Sequence, residues 1–423
     1  MAKHVLIATL GSFGDLHPYL AIAIGLKQRG HWVTLASSSM YREKVESEGI
    51  RFVAIPPQLD QLEHDRETRR KAMDSLDGTR YVLQELFLPP LAESYRILLA
   101  EARNADILFG SVLAFGLPLA AAKLRLPYIH SALQPAAVFS AFDPPLIPAM
   151  PFFPALPPAI LRILFSGLHQ LNRLLLKKVY QLAKQEGLPQ NAVPRLFGHT
   201  SPHGNLMLFS RHFMAPKPDF PQPFTMCGFP FYDKLDGNQF SIDSDIESFF
   251  SAGDPPYVFT LGTSAVLDPG SFYEEAHTTV TRMKKRAIFL VGRTNFAHYQ
   301  KLASDRILVS PYAPHSTLMP RAAVNIHQGG IGTTAQALRS GKPMVVVPFS
   351  HDQPDNARRC VQLGVGVSIP RKSFNTHLLE EALVAAGTKQ ELARSMGILI
   401  QSEDAVEAAC EKIAATQPSP RKI

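Results

Sequence analysis

NIHQGGIGTTAQAL, residues 325–338, followed after a turn and an apolar strand by PFSHDQPDN, residues 348–356, is the stretch whose reading decides the fold. It puts a histidine and three glycines (His327, Gly329, Gly330 and Gly332) where a buried strand turns into a helix, with Thr333 and Thr334 just inside the helix. Helix starts of this kind bind phosphate, because the first backbone N–H groups lack intrahelical partners and the dipole favours an anion there. A second apolar strand, residues 344–348, precedes Asp352 and Gln353 and so delivers them to the same edge of the sheet. A carboxylate and an amide beside a diphosphate read as partners for sugar hydroxyls, and the pairing points to a nucleotide-sugar site.

Outward from this stretch, the hydrophobic period alternates between strand and helix along the whole chain. Strands are expected at 4–10, 32–36, 50–55, 107–109 and 127–131, then at 257–261, 287–291, 306–309, 323–327 and 344–348, with a helix over 18–29 ended by Gly30. Such alternation implies an α/β protein with two doubly wound, Rossmann-like parallel sheets. The segment DFPQPFTMCGFPFYDKLDG is rich in proline, glycine and aromatics and reads as a linker over 219–240. The expected domains are therefore 1–218 for the acceptor, 241–400 for the nucleotide sugar, and a C-terminal helix and tail, 401–423, packing back on the first domain.

The chain has 423 residues, 46% hydrophobic and 19% charged, which suits a globular protein of two to three domains. Three widely spaced cysteines (Cys227, Cys360 and Cys410) spell neither a disulfide framework nor a C-x-x-C metal site, so a reducing, cytoplasmic setting is expected. The amino end, MAKHVLIATL, has an apolar run of strand length rather than that of a signal peptide. A formal charge of +7 and pI near 9.2 suit an anionic partner such as a nucleotide diphosphate or acidic lipid headgroups, and scattered solvated lysines explain them equally well. No nucleic-acid partner is expected.

Ligands of open parallel sheets bind beyond the carboxyl ends of the strands. Two such sheets facing one another would give a cleft with one substrate on each side, and GSFGDLHP, residues 11–18, is the first domain's contribution. Gly11 and Gly14 permit a tight turn, and Pro18 suits a first helical turn. Asp15 has two readings: a cap for the helix N-terminus, or a general base, which needs desolvation to raise its pKa.

These motifs resemble a known family over nearly the whole chain. GSFGDLHP early, with HQGGIGTT and HDQPDNARR late, is similar to the GT-B inverting glycosyltransferases of family 1. Within them the likeness is to the bacterial branch holding rhamnolipid rhamnosyltransferase, sterol glucosyltransferases and glycopeptide-antibiotic glycosyltransferases. The resemblance implies transfer of a hexose or deoxyhexose from a UDP- or dTDP-sugar, without metal or resident cofactor, with Asp15 as base. His17 is not at the family's base position and reads as a polar residue at the cleft or on the helix surface. On the donor side the resemblance implies that His327 bonds a diphosphate oxygen and that Gly14, Gly329, Gly330, Gly332, Thr333 and Thr334 line the phosphates. It further implies that Gly262, Thr263 and Ser264 approach phosphates and sugar, that Tyr312 and the Ala313 backbone receive the pyrimidine, and that Asp352 and Gln353 hold sugar hydroxyls.

A dinucleotide-binding dehydrogenase would want G-x-G-x-x-G after the first strand and an acid ending the second, where this chain has GSFGD and Ser37, Ser38 and Ser39. Asp243-Ser244-Asp245 spells a metal-binding D-x-D, yet Ser244 with Glu247 also fits a capping box for a helix over 245–250. A sugar-nucleotide epimerase or a nucleotide-sugar-binding module shares the architecture and stands as the alternative function. Residues 143–160, strongly apolar and broken by proline, are expected to cover a hydrophobic acceptor: lipid, sterol or polyketide-like. The segment 160–182 reads as a basic amphipathic helix carrying Arg162, Arg173, Lys177 and Lys178, either core-facing with a solvated side or a lid in peripheral contact with an anionic membrane. No run is long and apolar enough to span one.

Overall fold

Strands that are apolar on both sides suit parallel sheets with helices on either face, and two such sheets form. The computed structural model describes residues 1–59, 65–148, 150–196, 198–235, 238–239 and 243–418. The chain divides into two compact units: 1–64 with 79–238 and 403–423, and 65–78 with 239–402.

In the first unit β1 (His4–Ala8), β2 (Trp32–Ser37), β3 (Arg51–Ala54), β4 (Ile107–Ser111), β5 (Tyr128–Ala132), β6 (Asn205–Met207) and β7 (Phe224–Met226) form a parallel sheet in the order β3-β2-β1-β4-β5-β6-β7. Val5 and Ile7 of β1 face a core with Tyr19, Leu20, Leu35 and Phe109, while Leu6 and Ala8 face a second core with Tyr95, Leu98 and Phe115. β7 falls inside the segment expected to be linker; its pairing with β6 makes residues 224–226 part of this sheet. A short ladder, β8 (Lys234–Leu235) with β9 (Asn238–Gln239), follows, and residues 236–237 and 240 of the expected linker lie outside the described residues.

The helix after β1 is Phe13–Gln28, not 18–29, so Pro18 lies inside it rather than in its first turn. Pro18 has no N–H to give the Gly14 carbonyl, and the local break is tolerated because Ser12 and Asp15 secure the first turn ahead of it. The helix Ala405–Ala415 packs on this one: a Cβ on Gly25 would stand 2.6 Å from Val406 and 2.9 Å from Cys410. The Arg29–Glu407 ion pair and the Lys3 Nζ bond to Thr416 O (2.8 Å) flank the contact. All three cysteines are free and buried.

The second sheet comprises β10 (Tyr257–Thr260), β11 (Ala287–Leu290), β12 (Ile307–Ser310), β13 (Val324–His327), β14 (Met344–Val346) and β15 (Gly366–Ser368), in the order β12-β11-β10-β13-β14-β15. The order reverses between β10 and β13, where a crevice for ligand is expected at the carboxyl ends. The segment 65–78, early in the chain, belongs to this unit: Met73 is buried in its core beside Phe259 and Phe349, with its Sδ 3.6 Å from Ser350 Oγ. Among the described residues no helix is long and apolar enough to cross a membrane.

Candidate functional site

One candidate site, in the first unit, is the turn from β1 into helix Phe13–Gln28. Ser12 is the N-cap: its Oγ accepts from Gly14 N (3.2 Å), while its own N–H (2.7 Å) and Oγ–H (3.1 Å) donate to Asp15 Oδ2. Asp15 thus closes a capping box, and both of its bonds land on one oxygen. Neither of these bonds engages Oδ1. Burial pushes the carboxyl up from 3.8 to about 6 against the opposing pull of the Ser12 bonds, although the side chain keeps a half-buried edge at the surface. The desolvation a base requires therefore comes from the protein itself. Gly11, at φ +137°, is indispensable to this arrangement, since a Cβ there would overlap the Asp15 carboxylate. Behind it, Tyr19 OH meets Ser131 Oγ at 2.8 Å, which bonds the Gly110 carbonyl at 2.9 Å.

His17 is half-buried, its ring 5.3 Å from Phe13 and 5.1 Å from Tyr232. Phe13 in turn packs on Tyr41 at 5.1 Å, whose hydroxyl donates to the Gly11 carbonyl at 2.9 Å. This aromatic row braces the turn from outside.

A second candidate site, in the second unit, assembles at the carboxyl edge of its sheet, where parallel strands deliver residues far apart in sequence. The helix Ile331–Arg339 has Gly330 as N-cap with no side-chain cap, so no capping side chain covers the N–H groups of its first turn. Beside them the β10 loop turns at Gly262, φ +63°, where a Cβ would overlap the Gln328 amide. Thr263 is exposed, and the Ser264 side chain lies outside the described residues. Gln328 Nε2 reaches Thr333 Oγ1 at 3.4 Å; Gln328 Oε1 and Thr334 Oγ1 are buried without a partner among the described residues.

His327 departs from expectation. Its ring is fully buried, Nδ1 accepts from Gly329 N at 3.0 Å, and Nε2 lies 3.5 Å from Met344 Sδ. Both nitrogens face the protein rather than a ligand, because the residue ends a central strand covered on both sides. Burial, with His315 nearby, pushes it down to about 3, so the ring is neutral and fixes the Gly329 turn as an acceptor. Asn356 ties that turn to the next loop: its Nδ2 donates to Gly329 O (2.9 Å) and to Asp352 Oδ2 (2.7 Å). Gln353 Oε1 accepts from Phe349 N (2.8 Å) and Ser350 N (3.1 Å). Asp352 and Gln353 are thus held by their own loop. Asp355 behind them is fully buried against Arg358 and Arg359, each at 2.8 Å.

After β12, Ser310 Oγ bonds Tyr312 O at 2.9 Å and holds the Tyr312 ring outward, 47% exposed. Ala313 is buried, with neither its N–H nor its carbonyl bonded to a described residue. His315, which the sequence reading passed over, lies beside Thr260 Oγ1 at 3.4 Å and is pushed down to about 4 by burial. Nothing in its local sequence marks it; its position follows from β10 and β12 ending at one edge. Gln328 and Asn356, also passed over, had a signal in their adjacency to His327 and Asp352.

The D-x-D triplet serves as a cap, though one residue earlier than expected: Asp243 caps helix Ser244–Ser251 by accepting from Asp245 N at 2.9 Å, and Glu247 pairs with Arg321 at 2.6 Å. The apolar segment 160–182 is two helices, Pro158–Leu175 and Lys177–Gln185, broken at Leu176.

Residues 5–134 match the glycosyltransferase family 28 N-terminal domain, and residues 292–420 match the erythromycin biosynthesis protein CIII-like C-terminal domain. The chain is 28% identical to an O-mycaminosyltylonolide 6-deoxyallosyltransferase of Streptomyces fradiae, covering 96% of each. It is 25% identical to a sterol 3-beta-glucosyltransferase of Arabidopsis thaliana, covering 99% of this chain and 66% of that one. Among solved structures, the kitacinnamycin glycotransferase superposes with a TM-score of 0.75 at 19% identity, covering 99% of this chain and 100% of that one. The glycosyltransferase VinC, solved with dTDP, superposes with a TM-score of 0.66 at 16% identity over 97% and 98%. With glycosyltransferase domains matched toward both ends of a chain built of two parallel-sheet units, the protein has the GT-B fold and is a sugar-transferring enzyme.

Proposed function

We propose that this enzyme moves a hexose or deoxyhexose from a UDP- or dTDP-sugar to a hydroxyl of a hydrophobic acceptor, by one inverting displacement without a metal ion. The observation that carries the reading is Asp15, a carboxyl brought to about 6 with one oxygen engaged and the other open, at the carboxyl edge of a parallel sheet. A base of that strength is mostly ionised at neutral pH yet strong enough to share an acceptor proton as the C–O bond forms. For the donor, the uncapped N–H groups of helix Ile331–Arg339 and the Thr333 hydroxyl meet the diphosphate and stabilise the charge that grows on it as it leaves. His327 acts by holding the Gly329 turn. The exposed Tyr312 ring and the unpaired Ala313 backbone suit a pyrimidine. The VinC complex with dTDP and the 6-deoxyallosyl- and glucosyltransferases among the relatives support a nucleotide sugar and an apolar natural-product or sterol acceptor.

The test is incubation of the purified chain, with EDTA present, with UDP-glucose or dTDP-deoxysugars and with hydroxy-fatty-acid, sterol and polyketide acceptors. Products are read by mass, and their anomeric configuration by NMR. The reading predicts transfer with inverted configuration in EDTA. Retained configuration, or activity restored only by a divalent cation, would reject it.

A further inference from the structure

Helix Pro158–Leu175 is an unusual surface element. Of its residues, Leu161 and Asn172 are the buried ones among those described, while Ile163 (72%), Leu174 (70%) and Ile160 (46%) stand exposed. Ile160, Ile163 and Leu174 fall near one stripe at helical spacing. The proline-rich loop before it is fixed to the helix by a satellite core of Ala141, Phe153 and Leu161, backed by Phe165, and presents Phe152, 53% exposed, on the outside. The apolar surface is therefore held rigid rather than hidden. Charge singles out the same region: residues 144–185 contain no Asp or Glu and carry Arg162, Arg173, Lys177, Lys178 and Lys184. Lys177 and Lys178, exposed at the start of the next helix, continue the basic border.

An apolar stripe with a one-signed cationic border and no acidic residue over so long a segment is not what a solvated helix needs, and it repels a second copy of itself. We infer that helix Pro158–Leu175 and its proline-rich loop dock on an anionic lipid bilayer, the aliphatic stripe entering the headgroup–acyl boundary and the basic residues meeting lipid phosphates. The contact lies in the interfacial plane, as the helix is too short in apolar run to span. It would place the enzyme where a membrane-dissolved acceptor is concentrated.

The experiment is co-sedimentation of the full chain with large vesicles of phosphatidylcholine alone or mixed in equal parts with phosphatidylglycerol, across a salt series. The expected result is binding to the anionic vesicles that weakens with salt, and little to neutral ones. Lys177→Ser and Lys178→Ser should each lower partitioning roughly fivefold, and Ile163→Glu with Leu174→Glu should abolish it at unchanged melting temperature. Binding that ignores lipid charge, or persists in the Ile163→Glu/Leu174→Glu chain, overturns the inference. So does a concentration-dependent dimer dissolved by those substitutions, which would assign the stripe to a second copy, and so does normal vesicle binding with a raised acceptor KM, which would make the helix an acceptor lid. Transfer to a water-soluble acceptor is read in parallel; its absence in the unaltered chain would indict the transferase reading instead.

Discussion

Replacing Asp15 with Asn separates two roles that one carboxylate plays. Asn keeps an oxygen in place to accept the Ser12 N–H and Oγ–H bonds, 2.7 and 3.1 Å in the wild type, so the capping box survives. It cannot take a proton, so turnover should fall by about 10²- to 10⁴-fold, the contribution of a positioned base. Stability should move the other way. The folded carboxyl titrates at about 6 against 3.8 in the unfolded chain, so the fold favours the protonated form. Its contribution is fully present below about 4, lost as pH rises through about 6, and flat above. Ionising such a group costs the fold about 3 kcal/mol by the shift alone, and about 1–3 kcal/mol once screening at its half-buried edge is counted. Asn stays neutral throughout, so Asp15→Asn should match the wild type near pH 4 and exceed it by about 1–3 kcal/mol above pH 6.5. Thermal melts from pH 4 to 8, run beside initial rates at saturating nucleotide sugar, measure both. In the wild type kcat/KM should rise with an apparent pKa near 6. A stability gap that does not vary with pH, or an Asn variant with near wild-type turnover, refutes the reasoning.

Gly11→Ala puts a methyl on the Asp15 carboxylate at a left-handed backbone; a loss of about 1–3 kcal/mol in stability is expected, with a fall in kcat larger than the rise in donor KM. Tyr312→Ala removes the exposed ring proposed to stack on the pyrimidine, and calorimetry with UDP and dTDP should show affinity reduced by roughly 5- to 100-fold; unchanged affinity would move the base elsewhere. His327→Ala frees Gly329 N, and nucleoside diphosphate binding should weaken by about tenfold, the worth of a buried bond to a preformed turn. Asp355→Ala removes the buried carboxylate paired with the Arg358 and Arg359 guanidinium groups, the second of them almost fully buried, so a loss of about 3–5 kcal/mol in a denaturant titration is expected.

The βα alternation was legible because every central strand is a short apolar run bounded by turn residues, as parallel strands buried on both faces must be. Glycines 11, 262 and 329 also declared themselves: each turns at positive φ where a Cβ would collide, with Asp15, Gln328 and Val346 respectively. What could not be read depends on contacts between distant segments. Pro18 suggested a helix start because proline is usual there, yet the cap chemistry of Ser12 and Asp15 starts the helix five residues earlier, at Phe13. The cap of helix Ser244–Ser251 slipped to Asp243 for a related reason, since Glu247 finds Arg321 rather than the helix start. Nothing in residues 65–78 announces that Met73 completes the core of the second unit. The orientation of His327 is likewise a tertiary fact: a histidine before a glycine-rich turn can point out toward an anion or back at its own backbone, and the burial of β13 selects the second.

The turns of the two units share one construction rule, in which one atom of a polar side chain is committed to the turn and, in the proposed function, a different atom meets the ligand. Asp15 commits Oδ2 to Ser12 and presents Oδ1; Gln353 commits its carbonyl oxygen to Phe349 and Ser350 and retains its amide; Asn356 spends its amide on Gly329 and Asp352 and leaves Oδ1 buried without a described partner. His327 is committed entirely, and the N–H groups of an uncapped helix do the presenting. Groups held in this way need no reordering when substrate arrives, which is what electrostatic preorganisation demands. It follows that substitutions at the committed atoms should damage binding and geometry together, whereas changes confined to the presented atoms should strike turnover first, and Asp15→Asn is the cleanest instance because it changes the presented oxygen's chemistry while leaving the committed bonds standing.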